Sequence, residues 1–399
     1  MQLKTIRNAN LKHQKVFVRV DFNVPLDNHG NIKDPSRIDA SLPTLEYILS
    51  QDASIILASH LGRPKGKPTP NCSLSVTARY LANKLQKPVL FVEECIGSKA
   101  KAAAKNLAPG NILMLENLRF HKEEEANDPA FAKELASLAD IYVNDAFGAA
   151  HRAHASIEGI SHYMPTKLAG LLMEKEVKYL KDHITSPQKP FLVILGGAKV
   201  SDKIGLLKNL LDKADTIFIG GAMAYTFLKA IGKPVGNSKI EVDSLHLALD
   251  IVEKAKEKSV SILFPQDHIV SASFDYKTHS LEDFSCQETI PEGYLGLDIG
   301  GKTLAFLDPI IKNAKTIFWN GPMGVFEVLS LAQGTFALAK AISESSALSI
   351  VGGGDSQAAI RQSGYQEKIS FISTGGGASL EFLEDKTLPG IAVLELLHQ

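Results

Sequence analysis

The residues best suited to chemistry lie near the middle of the chain, where Gly196 and Gly197 are followed by Lys199 and Lys203. The five apolar residues 191–195 before them are typical of a strand buried on both faces of a parallel sheet. A glycine turn between a strand and a helix presents backbone N–H groups beside a positive helix end, and this combination binds phosphate. The four-residue spacing predicts that both ammonium groups project from one helix face. The plain alternative is an ordinary turn with two solvated lysines.

The second half of the chain repeats this design. Apolar runs end in glycines within segments 216–222, 316–324, 348–356 and 369–378. Several glycine-rich strand ends on one sheet edge are expected for a nucleotide site, although some glycines can serve only tight turns. Asp355 follows three glycines at a predicted helix start, and a carboxylate beside a phosphate cradle is a natural magnesium ligand. Helix capping is the other reading of Asp355.

The first half carries arginine instead of glycine. Seven of the eight arginines lie within the first 152 residues, so the two halves are predicted to bind different anions. Polar residues follow the predicted strands there, and Arg37 lies in a predicted loop, 34–39. Any one of them could be a solvated surface residue. Together they predict a basic cup for a small anion that carries phosphate and carboxylate. The strand-end residues are Asp21, Asn23, His60, Arg63, Arg119 and Arg152.

The elements that must position these groups alternate along the chain. Short apolar runs and helical stretches follow one another, which predicts parallel, doubly wound α/β sheets with ligands beyond the carboxyl ends of the strands. A chain of 399 residues fits two domains better than one. Residues 168–180 read as one long helix, and the proline-containing segment 185–190 ends it. We therefore expect an interdomain connector there and a second domain from about Lys189.

Composition narrows the class of protein. A net charge of -1, with 45% hydrophobic and 22% charged residues, argues against a general nucleic-acid or membrane-surface binder. No apolar run reaches the roughly 18 residues that span a bilayer, and the N-terminus lacks the apolar core of a secretion signal. Three separated cysteines indicate reduced thiols and a cytoplasmic protein. The P-loop, dinucleotide, zinc and nucleophile-elbow signatures are all absent.

Eight motifs, taken together, closely resemble the phosphoglycerate kinase family, in the family's order from about residue 5 to the C-terminus. They lie at 20–25, 59–63, 116–120, 144–154, 196–203, 319–327, 352–356 and 374–379. The resemblance implies an α/β fold of two Rossmann-like domains that face each other across a cleft and are joined by a hinge helix. It implies a 3-phosphoglycerate domain at 1–170 with a returning tail at about 386–399, a connector at 171–188 and a nucleotide domain at 189–385.

The resemblance also implies the reaction, which is magnesium-dependent phosphoryl transfer between ATP and the carboxylate of 3-phosphoglycerate. Positions implied to bind 3-phosphoglycerate or 1,3-bisphosphoglycerate are Asp21, Phe22, Asn23, Arg37, His60, Leu61, Gly62, Arg63, Arg119 and Arg152. Positions implied to bind ATP or ADP are Gly197, Lys203, Gly221, Pro322, Glu327, Gly353, Gly354, Asp355 and Ser356, with Asp355 as the Mg²⁺ ligand. Arg37, Lys199, Gly375 and Gly376 are implied to stabilise the phosphoryl group in flight.

An acceptor that is already ionised at pH 7 needs no general base, so positioning and charge neutralisation suffice. Anion sites on different domains predict hinge closure, and identical scattering of the free and ternary forms would contradict it. A monomer is the family expectation.

The alternative functions are those of a dehydrogenase or ATP-dependent ligase, and of a non-catalytic metabolite-binding protein of two lobes. Gly301 and Asp385 depart from the family, which usually has proline and glycine there, so local rigidity is in question.

Overall fold

The computed structural model describes residues 3–281 and 283–395. The chain divides into two compact units. Unit 1 runs to Lys178 and takes up the chain again from Lys386, and unit 2 is Tyr179–Asp385. Each unit contains a six-stranded parallel sheet, so the prediction of two α/β domains with parallel sheets is confirmed.

The sheet of unit 1 has the strand order β3-β4-β2-β1-β5-β6. Its strands are β1 (Lys15–Arg19), β2 (Ser54–Ala58), β3 (Val89–Val92), β4 (Ile112–Leu115), β5 (Ile141–Asn144) and β6 (Lys167–Ala169). The chain winds to one side of β1 as far as β4 and then to the other side through β5, so the topological switch point lies between β1 and β5. Ligands of open α/β sheets bind at such a point, beyond the carboxyl ends of the strands.

The helices before the linker to unit 2 are α1 (Ser36–Ser50), α2 (Ser75–Leu85), α3 (Gly97–Lys105), α4 (Lys122–Glu125), α5 (Pro129–Ala136) and α6 (Leu171–Leu180). Apolar side chains of β1 and β2, such as Val16, Val18 and Ile55, pack with Ile38 and Leu45 of α1 in one buried core. Burial on both faces explains why the central strands read as continuous apolar runs.

The parallel sheet of unit 2 has the order β17-β16-β15-β7-β8-β9. Its strands are β7 (Phe191–Leu195), β8 (Thr216–Ile219), β9 (Ser261–Leu263), β15 (Thr316–Asn320), β16 (Leu348–Gly352) and β17 (Phe371–Ile372). The switch point lies between β7 and β15, because the chain winds in opposite directions from these two neighbours. The helices are α7 (Ile204–Leu210), α8 (Met223–Ala230), α9 (Leu245–Glu257), α10 (Gly301–Asn313), α11 (Gln333–Glu344), α12 (Gly354–Ser363) and α13 (Gly377–Leu383).

Unit 2 also has antiparallel strands, which the sequence pattern did not predict. A three-stranded sheet is formed by β10 (His268–Ser271), β13 (Ser285–Gln287) and β14 (Leu295–Ile299). A separate hairpin is formed by β11 (Phe274–Asp275) and β12 (Ser280–Leu281). Strands of two to five residues with little apolar alternation carry a weak sequence signal, which explains why they were missed.

The expected single helix over 168–180 is wrong at its start. Leu168 and Ala169 belong to β6, which pairs in parallel with β5, and the helix α6 begins only at Leu171. The α-helix ends at Leu180 and is followed by a π-helical turn, Lys181–Thr185. Where a short apolar strand leads almost directly into a helix, the periodicity of the sequence does not mark the boundary between them.

The chain after Lys386 returns to the first unit. Its short helix α14 (Pro389–Ala392) places the N–H of Gly390 on the carbonyl oxygen of Ala150 at 2.9 Å, and Nδ2 of Asn144 donates to the carbonyl of Gly390 at 3.1 Å. Leu3 and Glu395 form an isolated antiparallel bridge. Within residues 3–281 and 283–395, no helix has the length and apolar content needed to span a bilayer.

Candidate active site

At the carboxyl edge of the first sheet, five of the predicted anion-binding residues are joined in one hydrogen-bonded chain. Asp21 accepts from Nη1 of Arg37 at 2.8 Å and from the backbone N–H of Asn23 at 3.1 Å. The side-chain oxygen of Asn23 accepts from the N–H of Gly62 at 2.8 Å, and the carbonyl of Gly62 accepts from Nη1 of Arg119 at 3.0 Å. The strand ends thus come together as the sequence predicted.

Arg37 was expected in a loop, and the structure corrects this. It lies in the first turn of α1, which begins at Ser36 directly after Pro35. Pro35 is the N-cap residue, and its carbonyl oxygen accepts from the N–H groups of Ile38 at 2.8 Å and Asp39 at 3.0 Å, which opens the helix. The rigid helix holds Arg37 more firmly than a loop would, with its guanidinium on Asp21.

His60 is buried beside this chain, with Nε2 at 3.9 Å from Asp21. Its Nδ1 lies 3.3 Å from Nη2 of Arg19. Arginine can only donate, so Nδ1 is the acceptor and Nε2 carries the proton that faces Asp21. Burial lowers the pKa of His60 well below its usual range, and Arg19, Arg119 and Arg37 lower it further against the opposing effect of Asp21. The imidazole is therefore neutral at pH 7.

The remaining predicted residues of this site differ in their exposure. The side chains of Phe22 and Leu61 are buried in the core, so only their backbone atoms can meet a ligand. Arg63 is exposed, and no ion pair joins it to any of the described residues. Arg152 is partly buried, and its Nε donates to His151 at 3.1 Å. Burial, with Arg152 and Arg19 nearby, lowers the pKa of Arg119 to about 10. Such crowding of cations favours an anionic ligand.

Arg19 is the residue of this site that sequence reasoning did not single out. Its side chain is fully buried, donates to Ser156 Oγ at 2.7 Å and to the carbonyl of Val20, and lies 3.9 Å from Glu124. Glu124 accepts in turn from the N–H and the hydroxyl of Ser156 at 2.9 and 2.5 Å. Burial raises the pKa of Glu124 in spite of Arg19. The sequence does contain a signal for Arg19, because a charged residue inside an apolar strand is rare unless it has a buried partner.

In unit 2 the glycines at the ends of β7, β8 and β15 pack backbone against backbone. A Cβ on Gly196 would lie 2.1 Å from the carbonyl oxygen of Pro322, and one on Gly221 would lie 2.5 Å from the amide nitrogen of Gly197. Close approach of chains therefore requires these glycines. The loops enclose a cavity of about 290 Å³, whose lining includes Gly197, Gly221, Pro322, Glu327 and Asp355.

Lys199 and Lys203 do not share a helix face, which corrects the sequence prediction. The turn Ser201–Lys203 precedes α7, so the helix begins only at Ile204. Lys199 is exposed in the loop, whereas Lys203 is buried at the switch point and donates to the carbonyls of Gly196 at 2.6 Å and Asn320 at 2.9 Å. Burial lowers the pKa of Lys203 to about 7, although Asp355 and Asp202 raise it.

The Gly353–Ser356 turn lies at the start of α12. Gly353 has φ +93° and caps the helix without a side chain, so Asp355 is in the first turn and is not the N-cap. Ser356 is buried and accepts from the N–H of Gly321 at 2.6 Å. A Cβ on Gly354 would meet nothing within 4 Å, so packing does not require glycine there. That open space leaves the first N–H groups of a ten-residue helix accessible to an anion.

Gly375 and Gly376 precede α13. The N–H of Gly375 donates to Ser373 Oγ at 3.2 Å, and Gly376 has φ +54°.

Among the described residues no group of three His, Cys, Asp or Glu side chains could hold a metal by itself. Asp355 fits magnesium in another way, because Mg²⁺ is often held by one carboxylate together with substrate phosphates. Its carboxylate is exposed in the cavity wall beside the open space at Gly354.

Comparison with known proteins agrees with this geometry. The family described as phosphoglycerate kinase matches residues 6–386. The chain is 53% identical to the phosphoglycerate kinase of Koribacter versatilis, covering 99% of each chain, and 52% identical to that of Prosthecochloris aestuarii, covering 99% of this chain and 100% of that one.

Solved structures show the same likeness. The phosphoglycerate kinase of Coxiella burnetii matches with a TM-score of 0.87 and 41% identity, over 98% of this chain and 99% of that one. The enzyme of Pyrococcus horikoshii matches with a TM-score of 0.85 and 33% identity, over 98% of both chains. A match that runs through both units, with identity well above what shared fold alone gives, leaves one conclusion: the chain belongs to the phosphoglycerate kinase family.

Proposed function

We propose that the chain catalyses the reversible, magnesium-dependent transfer of a phosphoryl group between ATP and the carboxylate of 3-phosphoglycerate, giving ADP and 1,3-bisphosphoglycerate. The observation that carries the proposal is the hydrogen-bonded chain from Arg37 through Asp21, Asn23 and Gly62 to Arg119. It supplies fixed donors for a small anion with phosphate and carboxylate groups, at the sheet edge where ligands of this architecture bind.

The acceptor is bound in unit 1 under this proposal. Arg37, Arg63, Arg119 and Arg152 supply charge-assisted hydrogen bonds to its phosphate and carboxylate. Asn23 and the neutral His60 supply polar contacts, and Phe22, Leu61 and Gly62 contribute backbone. Arg19 is a positioning residue, because it holds Nδ1 of His60 from within the core. No side chain needs to remove a proton, since a carboxylic acid is ionised near pH 7.

The nucleotide is bound in unit 2. Lys203 and the N–H groups at Gly353, Gly354 and Ser356 meet the phosphates, and Glu327 meets the ribose. Gly197, Gly221 and Pro322 form the cavity wall. Asp355 would hold Mg²⁺, which when bound neutralises charge on the phosphates.

In the transfer step, a carboxylate oxygen of 3-phosphoglycerate forms a bond to the γ-phosphorus as the bond to the bridging oxygen of ADP breaks. Charge spreads over three equatorial oxygens. Lys199, Arg37 and the N–H groups near Gly375 and Gly376 stabilise that charge. Lys199 is suited to this task because it is exposed and carries no ion pair within the described ranges. A monomeric, cytoplasmic enzyme stays a prediction of the sequence.

The test is ATP-dependent turnover of 3-phosphoglycerate, coupled to reductive consumption of the acyl phosphate. We expect activity in the wild type and losses of several orders of magnitude in Arg37→Ala and Lys199→Ala. Arg79→Ala on α2 and Lys208→Ala on α7 are matched controls, because both side chains are exposed away from the site, and should retain activity. A wild type that binds Mg·ATP and leaves 3-phosphoglycerate unchanged would contradict the proposal.

A further inference from the structure

Unit 2 holds a further cavity, of about 350 Å³, that the proposed reaction does not use. Its wall is built from the end of α8, the edge strand β9 and residues beside β10 and β13. It shares no lining residue with the cavity at Gly197 and Asp355 to which the nucleotide is assigned. Pockets for small organic ligands begin at about 300 Å³, and an apolar cavity of about 150 Å³ already accommodates benzene. The space is therefore sufficient for a ring that carries two substituents.

Most of the wall of this cavity is apolar. The end of α8 contributes Leu228 and Ile231, and the strand β9 with the residue after it contributes Ile262 and Phe264. Ile231 and Phe264 are partly buried and pack against the core cluster that contains Leu228. Apolar side chains that the core holds on one side and leaves partly exposed on the other suit the apolar body of a ligand.

His268 is a buried polar group in the same wall. The residue is 4% exposed, and its Nδ1 is buried without a hydrogen-bond partner among the described residues. Nε2 likewise makes no hydrogen bond to any residue that the structure describes. Burial lowers the pKa of His268 to about 4 against the opposing effect of Asp267, so the neutral imidazole has one donor and one acceptor nitrogen. Buried polar groups are normally hydrogen-bonded, which indicates that this histidine awaits a partner.

The charge at the rim of the cavity is positive. Lys233 is exposed there, and within the described ranges no ion pair or side-chain hydrogen bond engages its ammonium group. Glu288 is the one carboxylate among the lining residues that the structure describes, and it is already paired with Lys302. A free lysine beside a compensated glutamate favours an anionic group on the ligand. At the rim that group keeps most of its hydration, so its charge need not be buried.

We propose that this cavity binds small monocarboxylates that have an apolar body and a hydroxyl group. The carboxylate meets Lys233 at the rim, and the hydroxyl reaches His268 in the wall. The apolar body lies between them, against Ile262 and Phe264. A hydroxyl suits the histidine because it both donates and accepts, so it pairs with either tautomer of the imidazole. The inference does not depend on the proposed reaction.

The experiment titrates para-hydroxyphenylacetate into protein with labelled isoleucine and leucine methyl groups and follows it by NMR. We expect saturable shifts of the Ile231 and Ile262 methyl groups, while Leu297 in the nucleotide cavity stays unchanged. Phenylacetate, which lacks the hydroxyl, should bind about two- to tenfold more weakly, the contribution of one hydrogen bond. The neutral para-hydroxyphenylethanol should bind about two- to fivefold more weakly, as expected for the loss of one exposed ion pair.

Two variants assign these differences to residues. His268→Phe keeps a ring against Tyr225, whose centroid lies 5.6 Å from that of the histidine, and should bind para-hydroxyphenylacetate and phenylacetate equally. Lys233→Met should bind para-hydroxyphenylacetate and para-hydroxyphenylethanol equally. Lys229→Met is the matched control, because Lys229 is an exposed lysine on α8 outside the cavity wall, and it should match the wild type.

Three results in the wild type alone would overturn the inference. The first is the absence of saturable shifts, and the second is a shift of Leu297 without shifts of Ile231 and Ile262, which places the probe in the nucleotide cavity. The third is equal affinity for para-hydroxyphenylacetate and phenylacetate, which excludes the contact with His268 even if His268→Phe does not fold. None of these measurements involves a nucleotide, so failure of the proposed function would not change them.

Discussion

The carboxylate of Asp21 accepts a hydrogen bond from the guanidinium of Arg37 over 2.8 Å and joins the end of β1 to the first turn of α1. A negative charge beside an anion opposes binding, so we expect Asp21 to serve the site by holding the arginine. Burial raises the pKa of Asp21, but the positive charges around it, Arg37 and Arg19 among them, outweigh that effect and leave the pKa below its usual range. The carboxylate is therefore ionised at neutral pH, where it can hold the guanidinium of Arg37.

Asp21→Asn should therefore separate binding from turnover. Loss of the charge frees Arg37, and misplacement of a group that acts in the transition state can cost about 10²-fold in kcat. KM for 3-phosphoglycerate should stay level or fall, because a like charge has been removed. Steady-state kinetics in both substrates measures this. Asp39→Asn on the same helix is the control, since Asp39 accepts from Tyr80 instead. A raised KM with unchanged kcat would contradict the argument.

Alanine substitutions at two glycines test whether the turn before Asp355 has a glycine for ligand access or for packing. Gly354 and Gly301 are each the first residue of a helix, and a Cβ on either would meet nothing within 4 Å. Alanine at either position should leave stability equal or raise it by about 0.4–1 kcal/mol. Only Gly354→Ala should weaken ADP binding, because its methyl group would stand where a phosphate approaches the backbone.

Thermal unfolding and calorimetric titration with ADP measure the two effects on the same samples. Equal ADP affinity in Gly354→Ala and the wild type would show that the phosphates do not approach this turn.

Asp385, the other departure from the family, has φ +56°, a conformation that glycine adopts most easily. The aspartate there accepts from Nδ2 of Asn209 at 2.8 Å.

The sequence predicted the parts of the site that follow from strand ends. Parallel strands bring their carboxyl ends to one edge, so Asp21, His60 and Arg119 could be grouped without coordinates. The directions in which the side chains point could not be predicted from the sequence. The four-residue spacing of Lys199 and Lys203 implies a shared face only if a helix spans both, and here a tight turn intervenes. Whether a lysine points inward depends on carbonyls at the end of β15, over a hundred residues away.

Lys203 should make nucleotide affinity depend on pH. Burial lowers its pKa to about 7 in the free protein, so the ammonium loses its proton as the pH rises above that value. A phosphate prefers the charged form. The affinity for ADP should then fall by up to about tenfold per pH unit between pH 7.5 and 9, where ADP itself is fully ionised.

Lys203→Met should bind ADP weakly at every pH and lack this slope. Lys208→Met, an exposed lysine on α7, should keep the wild-type slope and so controls for the loss of one charge. Calorimetric titrations at four pH values provide the comparison. The same slope in Lys203→Met as in the wild type would assign the titration to another group.

Asp298 should make stability depend on pH in the opposite sense from an ordinary ion-paired carboxylate. It is buried in β14, accepts from the N–H of Gly334 at 2.7 Å through Oδ2, and its Oδ1 has no hydrogen-bond partner among the described residues. Burial raises its pKa to about 7. The unfolded carboxyl releases its proton near pH 4, so between pH 4 and 7 the folded state holds more protons and stability falls as pH rises.

Asp298→Asn keeps an acceptor for Gly334 and removes the titration. The difference in unfolding free energy between variant and wild type should therefore grow in favour of the variant by a few kcal/mol from pH 4 to 7 and stay level above it. Urea unfolding at each pH measures this difference, and Asp308→Asn on the exposed face of α10 controls for the loss of one carboxylate. A difference that is constant with pH would mean that Asp298 is ionised throughout, and that solvent or a local rearrangement reaches Oδ1 within the fold.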